Sequence, residues 1–230
     1  IYIGVVGPVR TGKSTFIKRF MDVAVLPYME DAAQKTRAQD ELPQSAGGRT
    51  ITTTEPKFIP QEAVELKLAG EVTIRVRLVD CVGFMVEGAA GHLEDGAERL
   101  VKTPWYDHEI PFTQAAELGT RKVITDHSTI GVVVTTDGSF SDLPQETYLD
   151  AENQAISELK KLHKPFLVLV NSSHPSSRTA REAAERIEKQ HSVAAMPVNC
   201  AQLSEEDIRQ IMEQILYEFP VSRVEFYMPK

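Results

Sequence analysis

A chain of 230 residues with 42% hydrophobic content is long enough to bury one sizeable core, or a core with a small appendage. A net charge of −8 with no basic tract argues against a dedicated nucleic-acid binder, because neutralising phosphates takes clustered Lys and Arg. No apolar run approaches the ~20 residues needed to cross a bilayer, so direct membrane insertion is not expected. Two cysteines, Cys81 and Cys200, fit neither a zinc spacing nor a disulfide framework, which points to a reducing, intracellular compartment. The chain begins inside a strand without methionine, so a fragment of a longer protein is expected.

The first elements carry the chemistry. The apolar run Ile1-Tyr2-Ile3-Gly4-Val5-Val6 reads as a buried strand, and the amphipathic stretch Phe16 to Val25 as a helix. Between them stands Gly7-Pro8-Val9-Arg10-Thr11-Gly12-Lys13-Ser14, followed by Thr15. A glycine loop between a strand and a helix is the order a phosphate-binding P-loop requires. Gly7 and Gly12 let the backbone turn its N–H groups inward, where a Cβ would meet a phosphate oxygen. Lys13 is expected on the β- and γ-phosphates and Ser14 on Mg²⁺, with the helix N-terminus adding partial positive charge. Val9, Arg10, Thr11, Gly12 and Thr15 complete the predicted nucleotide-binding loop.

Pro27 to Pro56 is a long polar segment with neither a helical nor a strand period, read as a functional loop. Phe58 to Leu68 and Val72 to Leu78 flank the turn Ala69-Gly70-Glu71, predicting an antiparallel hairpin at a sheet edge. The second strand runs into Asp80-Cys81-Val82-Gly83. Alone, that pattern is as often an ordinary strand exit. Downstream of a P-loop and one hairpin it reads as an Asp80 that holds Mg²⁺ through water and a γ-phosphate-sensing Gly83 N–H. Phe84 to Pro111 reads as another long loop, with the lone Trp105 as a packing anchor.

From there helices and buried strands alternate. Helices are predicted over Phe112 to Asp126, Tyr148 to Leu162 and Thr179 to Gln190, with strands at Ile130 to Thr135, Phe166 to Val170 and Ala194 to Val198. Ser204-Glu205-Glu206-Asp207 caps a last helix with acids at its positive end. Ser222 to Tyr227 is expected to be extended. The class is α/β: a doubly wound, mostly parallel sheet with one antiparallel edge hairpin and its ligand at the carboxyl ends of the strands. Residues 1–220 form the expected P-loop nucleotide-binding domain, and 221–230 the start of a following domain or linker. His92, His108, His127, His163 and His191 show no mutual spacing for metal or triad work and read as surface or capping residues.

The motif order resembles the Ras-like, translation-factor-related P-loop GTPases. A closer resemblance lies in Val5 through Thr15, Arg37-Ala38-Gln39-Asp40-Glu41-Leu42-Pro43-Gln44-Ser45, Thr53-Thr54-Glu55-Pro56-Lys57-Phe58, Leu78 through Gly83, Thr103-Pro104-Trp105-Tyr106 and Thr135-Thr136-Asp137-Gly138. These runs, over essentially the whole chain, look like the nucleotide-binding domain of the stage IV sporulation protein A family. The resemblance implies an ATPase with a GTPase-like fold, whose hydrolysis drives self-assembly into the basal layer of the spore coat. It implies partners as well: copies of itself, a small amphipathic membrane-bound peptide, and further coat proteins reached through domains outside this stretch. The implied location is the mother-cell side of the forespore surface. By matching motif, Lys13 is the Walker A lysine, Asp80 the Walker B acid, and Thr53 and Thr54 the γ-phosphate-sensing threonines, with Thr53 near the metal.

The residues bear on the base separately. Guanine readers follow the corresponding buried strand with Asn-Lys-x-Asp, whose carboxylate accepts two guanine N–H donors. Here the loop is Asn171-Ser172-Ser173-His174, and the last base-side loop is Asn199-Cys200-Ala201 without the relatives' lysine. Guanine selectivity is therefore not expected. Asn171, Ser172, Cys200 and Ala201 are the predicted base-side residues. Phe84 stands where relatives place a water-orienting glutamine, and Val9 where an incoming arginine finger would pass. Arg10 is the candidate for a built-in finger. The runner-up function is a nucleotide-gated switch that binds a partner in its triphosphate state.

Overall fold

The computed structural model describes residues 1–43, 55–67, 73–89, 93–94 and 97–219. The strands, in chain order, are β1 (Tyr2–Val6), β2 (Lys57–Lys67), β3 (Thr73–Asp80), β4 (Leu93–Glu94), β5 (Ala97–Glu98), β6 (Leu100–Thr103), β7 (Tyr106–Pro111), β8 (Ile130–Thr136), β9 (Phe166–Asn171) and β10 (Ala195–Val198). The α-helices are α1 (Lys13–Phe20), α2 (Ala32–Asp40), α3 (Phe112–Lys122), α4 (Leu149–Lys161), α5 (Arg178–His191) and α6 (Glu205–Tyr217).

One sheet organises these elements, in the order β10-β9-β8-β1-β3-β2. Every pairing in it is parallel except β2 against β3 at the edge. The reason is visible in the residues. All seven positions of β8 and all six of β9 are buried, which only a strand covered on both faces achieves. β2 can instead carry Pro60, which has no N–H for a ladder, because an edge strand has a free side. The β2–β3 register shifts between Ile59 and Val64, and Arg77 Nε donates to the Pro60 carbonyl at 3.0 Å there.

Side chains alternate across the sheet into two cores. Ile3, Val5, Ile130, Val132, Val134, Leu167 and Leu169 face one way and meet Phe16, Ile17 and Phe20 of α1 and Ile208, Ile211 and Ile215 of α6. Val6, Val79, Val133, Val168 and Val170 face the other way, under Ala151, Ala155, Ile156 and Leu159 of α4 and Ala183, Ala184 and Ile187 of α5. Each fully buried Ile, Leu or Phe contributes about 1.5–3 kcal/mol, so the two cores hold the layers together. From β1 the chain moves to β3 on one side and then crosses to β8 on the other. That reversal opens a crevice at the carboxyl end of β1, where such sheets bind ligands.

Three segments depart from expectation. The polar stretch after Pro27 contains α2, whose N-terminus is capped by Asp31 Oδ1 accepting from Ala33 N (2.8 Å) and Gln34 N (3.2 Å). It buries only Ala38, so it leaves no apolar period to read. The predicted loop from Phe84 to Pro111 contains two small hairpins, β4–β5 and β6–β7. Tyr106, Asp107, His108 and Glu109 of β7 are all exposed, and a strand without a buried face shows no alternation. Trp105 lies half-buried in the β6–β7 turn. The helices predicted to Val25 and Asp126 end as α1 and α3 and run on as short π-helical turns, Met21–Val25 and Val123–His127. The Ser204 cap forms as expected and is closed into a capping box by Asp207, whose carboxylate accepts from Ser204 N at 2.8 Å. Among the described residues no helix is long and apolar enough to cross a membrane. Thr53, Thr54, His92 and the stretch 220–230 lie outside the described residues.

Candidate nucleotide-binding site

The loop between β1 and α1 is held from three sides. The buried Thr11 turns its hydroxyl to the Val134 carbonyl of β8 at 2.6 Å, with Pro8 O at 3.0 Å. Asn171, at the end of β9, donates from Nδ2 to Thr11 O (2.9 Å) and accepts at Oδ1 from Cys200 N (3.0 Å). One buried amide therefore ties the P-loop to the base-side loop and fixes the distance between them. Gly12 has φ +97°, and a Cβ there would stand 2.3 Å from Asn171 Nδ2, so this contact requires glycine. Val9 is buried beside Phe84. Arg10 is exposed and held at φ +61°, and Thr15 is half-buried on α1.

Lys13, Ser14 and Asp80 converge at the carboxyl ends of β1 and β3. Lys13 is 5% exposed, and its ammonium donates to Pro8 O at 2.5 Å. Burial lowers its pKa, opposed by the negative charge of Asp80. The same burial raises the Asp80 pKa, opposed by Lys13 and by the hydrogen bond from Ser14. Both groups thus give up charge stabilisation that a bound anion and cation would restore. Ser14 Oγ donates to Asp80 Oδ2 at 3.2 Å. A Mg²⁺ here would be held by the Ser14 hydroxyl and, through water, by the Asp80 carboxylate beside it. Among the described residues no group of three or more His, Cys, Asp or Glu forms a metal cluster. The remaining ligands of a Mg²⁺ here would be phosphate oxygens and water, as is usual for this ion.

The Asp80–Phe84 segment lies across the P-loop. Phe84 N donates to Gly7 O (3.0 Å), and Val9 N donates to Phe84 O (2.9 Å). The Phe84 ring is 1% exposed. At the position where the resemblance places a water-orienting glutamine, the Phe84 side chain is a core anchor. Gly83 has φ +103°, and its missing Cβ would stand 2.5 Å from Lys13 Nζ. Its N–H, expected at the γ-phosphate, donates to Thr120 Oγ1 of α3 at 3.1 Å. Sequence reasoning missed Thr120 because a threonine inside an amphipathic helix carries no signal of its own.

On the base side, Ser172 is buried, with its N–H on Val198 O at 2.8 Å and its hydroxyl accepting from His174 N at 3.0 Å. Ser173 N donates to Ser139 Oγ at 2.8 Å, which joins this loop to the one after β8. A cavity of about 420 Å³ opens there, lined by Asp137, Ser139, Gln145, Ser172, His174 and Thr179 among others. The His174 side chain is exposed, Ala201 is exposed, and Cys200 is buried with its thiol pKa pushed up to about 12. No carboxylate stands in the Ser172–His174 turn.

A family model described as stage IV sporulation protein A, ATPase domain, matches residues 1–220. Stage IV sporulation protein A of Clostridioides difficile (strain 630) is 49% identical over 230 residues, which is 100% of this chain and 47% of that one. Its counterpart in Bacillus subtilis (strain 168) is 46% identical over 229 residues, 100% of this chain and 46% of the other. The chain spans about half the length of the curated relatives it matches. Among solved structures, translation elongation factor SelB from Methanococcus maripaludis, in complex with the GTP analogue GppNHp, aligns with a TM-score of 0.50 at 13% identity. The alignment covers 97% of this chain and 35% of that one. At that identity the likeness concerns the fold, a mostly parallel P-loop NTPase sheet with one antiparallel edge pair.

Proposed function

Because the chain belongs to the stage IV sporulation protein A ATPase-domain family, we propose that it is a Mg²⁺-dependent ATP hydrolase whose turnover drives self-assembly of the longer protein into the basal layer of a spore coat. The observation that carries the chemistry is the Ser14–Asp80 pair at 3.2 Å beside a buried Lys13. Lys13 binds the β- and γ-phosphates, while Ser14 and Asp80 hold the metal. Bound there, Mg²⁺ supplies positive charge that offsets the charge on the phosphates. Thr53 and Thr54 sense the γ-phosphate from the first switch loop, and Gly83 from the second.

The base reading follows from acceptors. Asn171 is turned to Thr11 and Cys200, and the next residues are Ser172, Ser173 and His174, so that turn has no carboxylate to accept both guanine donors at once. ATP is then accommodated without a selectivity device for GTP. Partners are further copies of the protein, a small amphipathic membrane-bound peptide and other coat proteins, reached on the mother-cell side of the forespore through parts outside this stretch. A nucleotide-gated switch is the second reading. The link from Gly83 to α3 favours it, because it ties the site to a helix outside the phosphate loop.

The test is phosphate release from ATP and from GTP, with and without Mg²⁺, by wild type and Lys13→Ala, beside light scattering of the longer protein. ATP turnover should need Mg²⁺ and fall at least ~10²-fold in Lys13→Ala, since a group that offsets transition-state charge is lost. Scattering should rise only where turnover occurs. A tenfold preference for GTP, or turnover indifferent to chelation, would sink the reading. Reversible scattering that follows bound nucleotide without hydrolysis would favour the switch.

A further inference from the structure

We propose that Thr120 and the γ-phosphate compete for a single donor, the N–H of Gly83, so that triphosphate binding releases α3 and the β6–β7 hairpin attached to it. The inference rests on the hydrolase reading above. Thr120 is fully buried. Its hydroxyl proton goes to Ala116 O at 2.7 Å, which leaves its oxygen lone pairs to accept from Gly83 N at 3.1 Å. A helix threonine bonding back one turn is common and by itself only structural. Accepting a backbone N–H from another segment is a separate contact, and this N–H belongs to a residue packed against the Lys13 ammonium. The same peptide therefore borders both Thr120 and the place where Lys13 holds phosphate. With φ +103° and no Cβ, Gly83 can rotate its peptide between the two acceptors at little cost. A phosphate oxygen is charged and the hydroxyl is neutral, so the phosphate is the stronger acceptor.

Loss of that bond reaches the surface through α3. Phe112 N, at its start, donates to Arg99 O (2.8 Å), and Thr113 N donates to Glu98 Oε1 (3.1 Å). The Arg99 guanidinium lies over the Phe112 ring, 4.4 Å from its centroid. Arg99 leads directly into β6, and the β6–β7 turn carries Trp105, the one tryptophan of the chain. The molecule thus contains a natural optical reporter at the far end of the coupled element.

The experiment measures calorimetric affinities for ADP and a non-hydrolysable ATP analogue, both with Mg²⁺, and Trp105 emission in each complex, for wild type, Thr120→Ser and Thr120→Val. Valine keeps the volume and removes the competing acceptor. Thr120→Val should bind the triphosphate analogue about 2- to 10-fold more tightly, the size of one neutral hydrogen bond, with ADP affinity within twofold. Wild-type emission should differ between the two complexes. Thr120→Val with ADP should already show the analogue-like emission, and Thr120→Ser should behave as wild type. Equal shifts in both affinities, or an unchanged ratio, would mean that Thr120 only packs, and would overturn the proposal. Should the valine variant fail to fold, hydrogen exchange of the wild type decides. The amides of residues 116–123 must exchange faster with the analogue than with ADP, and equal rates refute the handover. A wild type that binds neither nucleotide overturns the hydrolase reading and this inference together, whereas normal binding with an unchanged ratio overturns this inference alone.

Discussion

Arg10 is a residue in an uncomfortable backbone geometry in the loop between β1 and α1. An L-residue at φ +61° costs roughly 1–2 kcal/mol, and the P-loop fold sustains it through the bonds at Thr11 and Phe84 on either side. Its side chain is exposed at the rim of the loop, close in sequence to Lys13. We propose that its guanidinium donates to the phosphates as the terminal bond breaks, a device worth about 10³–10⁵ in rate where an arginine supplies it. Arg10→Ala should leave ATP affinity within several-fold, lower turnover by ~10²-fold or more, and wild-type turnover should not require K⁺. Steady-state phosphate release paired with a binding titration checks this, and full turnover in the variant removes Arg10 from the mechanism.

Elements are joined by one buried carboxylate. Glu152 of α4 is 1% exposed, accepting from Thr135 Oγ1 of β8 at 2.6 Å and from Arg186 Nη2 of α5 at 2.8 Å. Two helices and the central sheet thus share one charge. Most charges of α5 lie on a solvated face and pair along the helix. Arg178 and Lys189, for instance, pair with Glu182 and Glu185 one turn away at the surface. Arg186 differs because α4 packs beside it and supplies a partner that water does not reach. Arg186→Ala should destabilise the fold by about 1–3 kcal/mol, since the carboxylate is left buried with only Thr135. The cost falls short of a fully enclosed pair because the Arg186 side chain is 31% exposed. Urea denaturation with a shared slope measures it, and a loss under ~0.5 kcal/mol would mean that the pair holds nothing together.

At the scale of the molecule, the two cysteines report on the two cores separately. Cys81 packs on the face covered by α4 and α5, and Cys200 on the face covered by α1 and α6. Burial raises their thiol pKa values to about 11 and about 12, so at pH 8 both remain protonated as well as enclosed. Neither should be alkylated in the native protein at pH 8. Both should label together across the urea transition if the layers open as one unit. ATP with Mg²⁺ should slow both labelling rates, because a ligand of the folded state opposes opening. Mass spectrometry of the alkylated protein separates the two sites. Reaction of one thiol before the other would show two cores that open independently.

How much of this was legible in the sequence depended on burial. Strands β8 and β9 could be read because parallel strands covered on both faces must be continuously apolar, and the P-loop because phosphate approach constrains residue types at fixed spacing. The Ser204 cap was legible for a similar reason, since its partners lie three residues apart along the chain. Helix α2 and strand β7 were not legible, because they bury almost nothing and leave no period. Contacts between residues distant in sequence were beyond any local pattern. Asn171 spans 160 positions to Thr11, Glu152 is 34 from Arg186, and Gly83 is 37 from Thr120. The sequence alone determined the α/β layering and the identity of the phosphate loop, because those are properties of periodicity and of local backbone chemistry. Only the tertiary structure decided which hydroxyl holds the Gly83 N–H and which amide braces the P-loop, because a hydrogen bond needs two groups within about 3 Å, and packing alone brings them there.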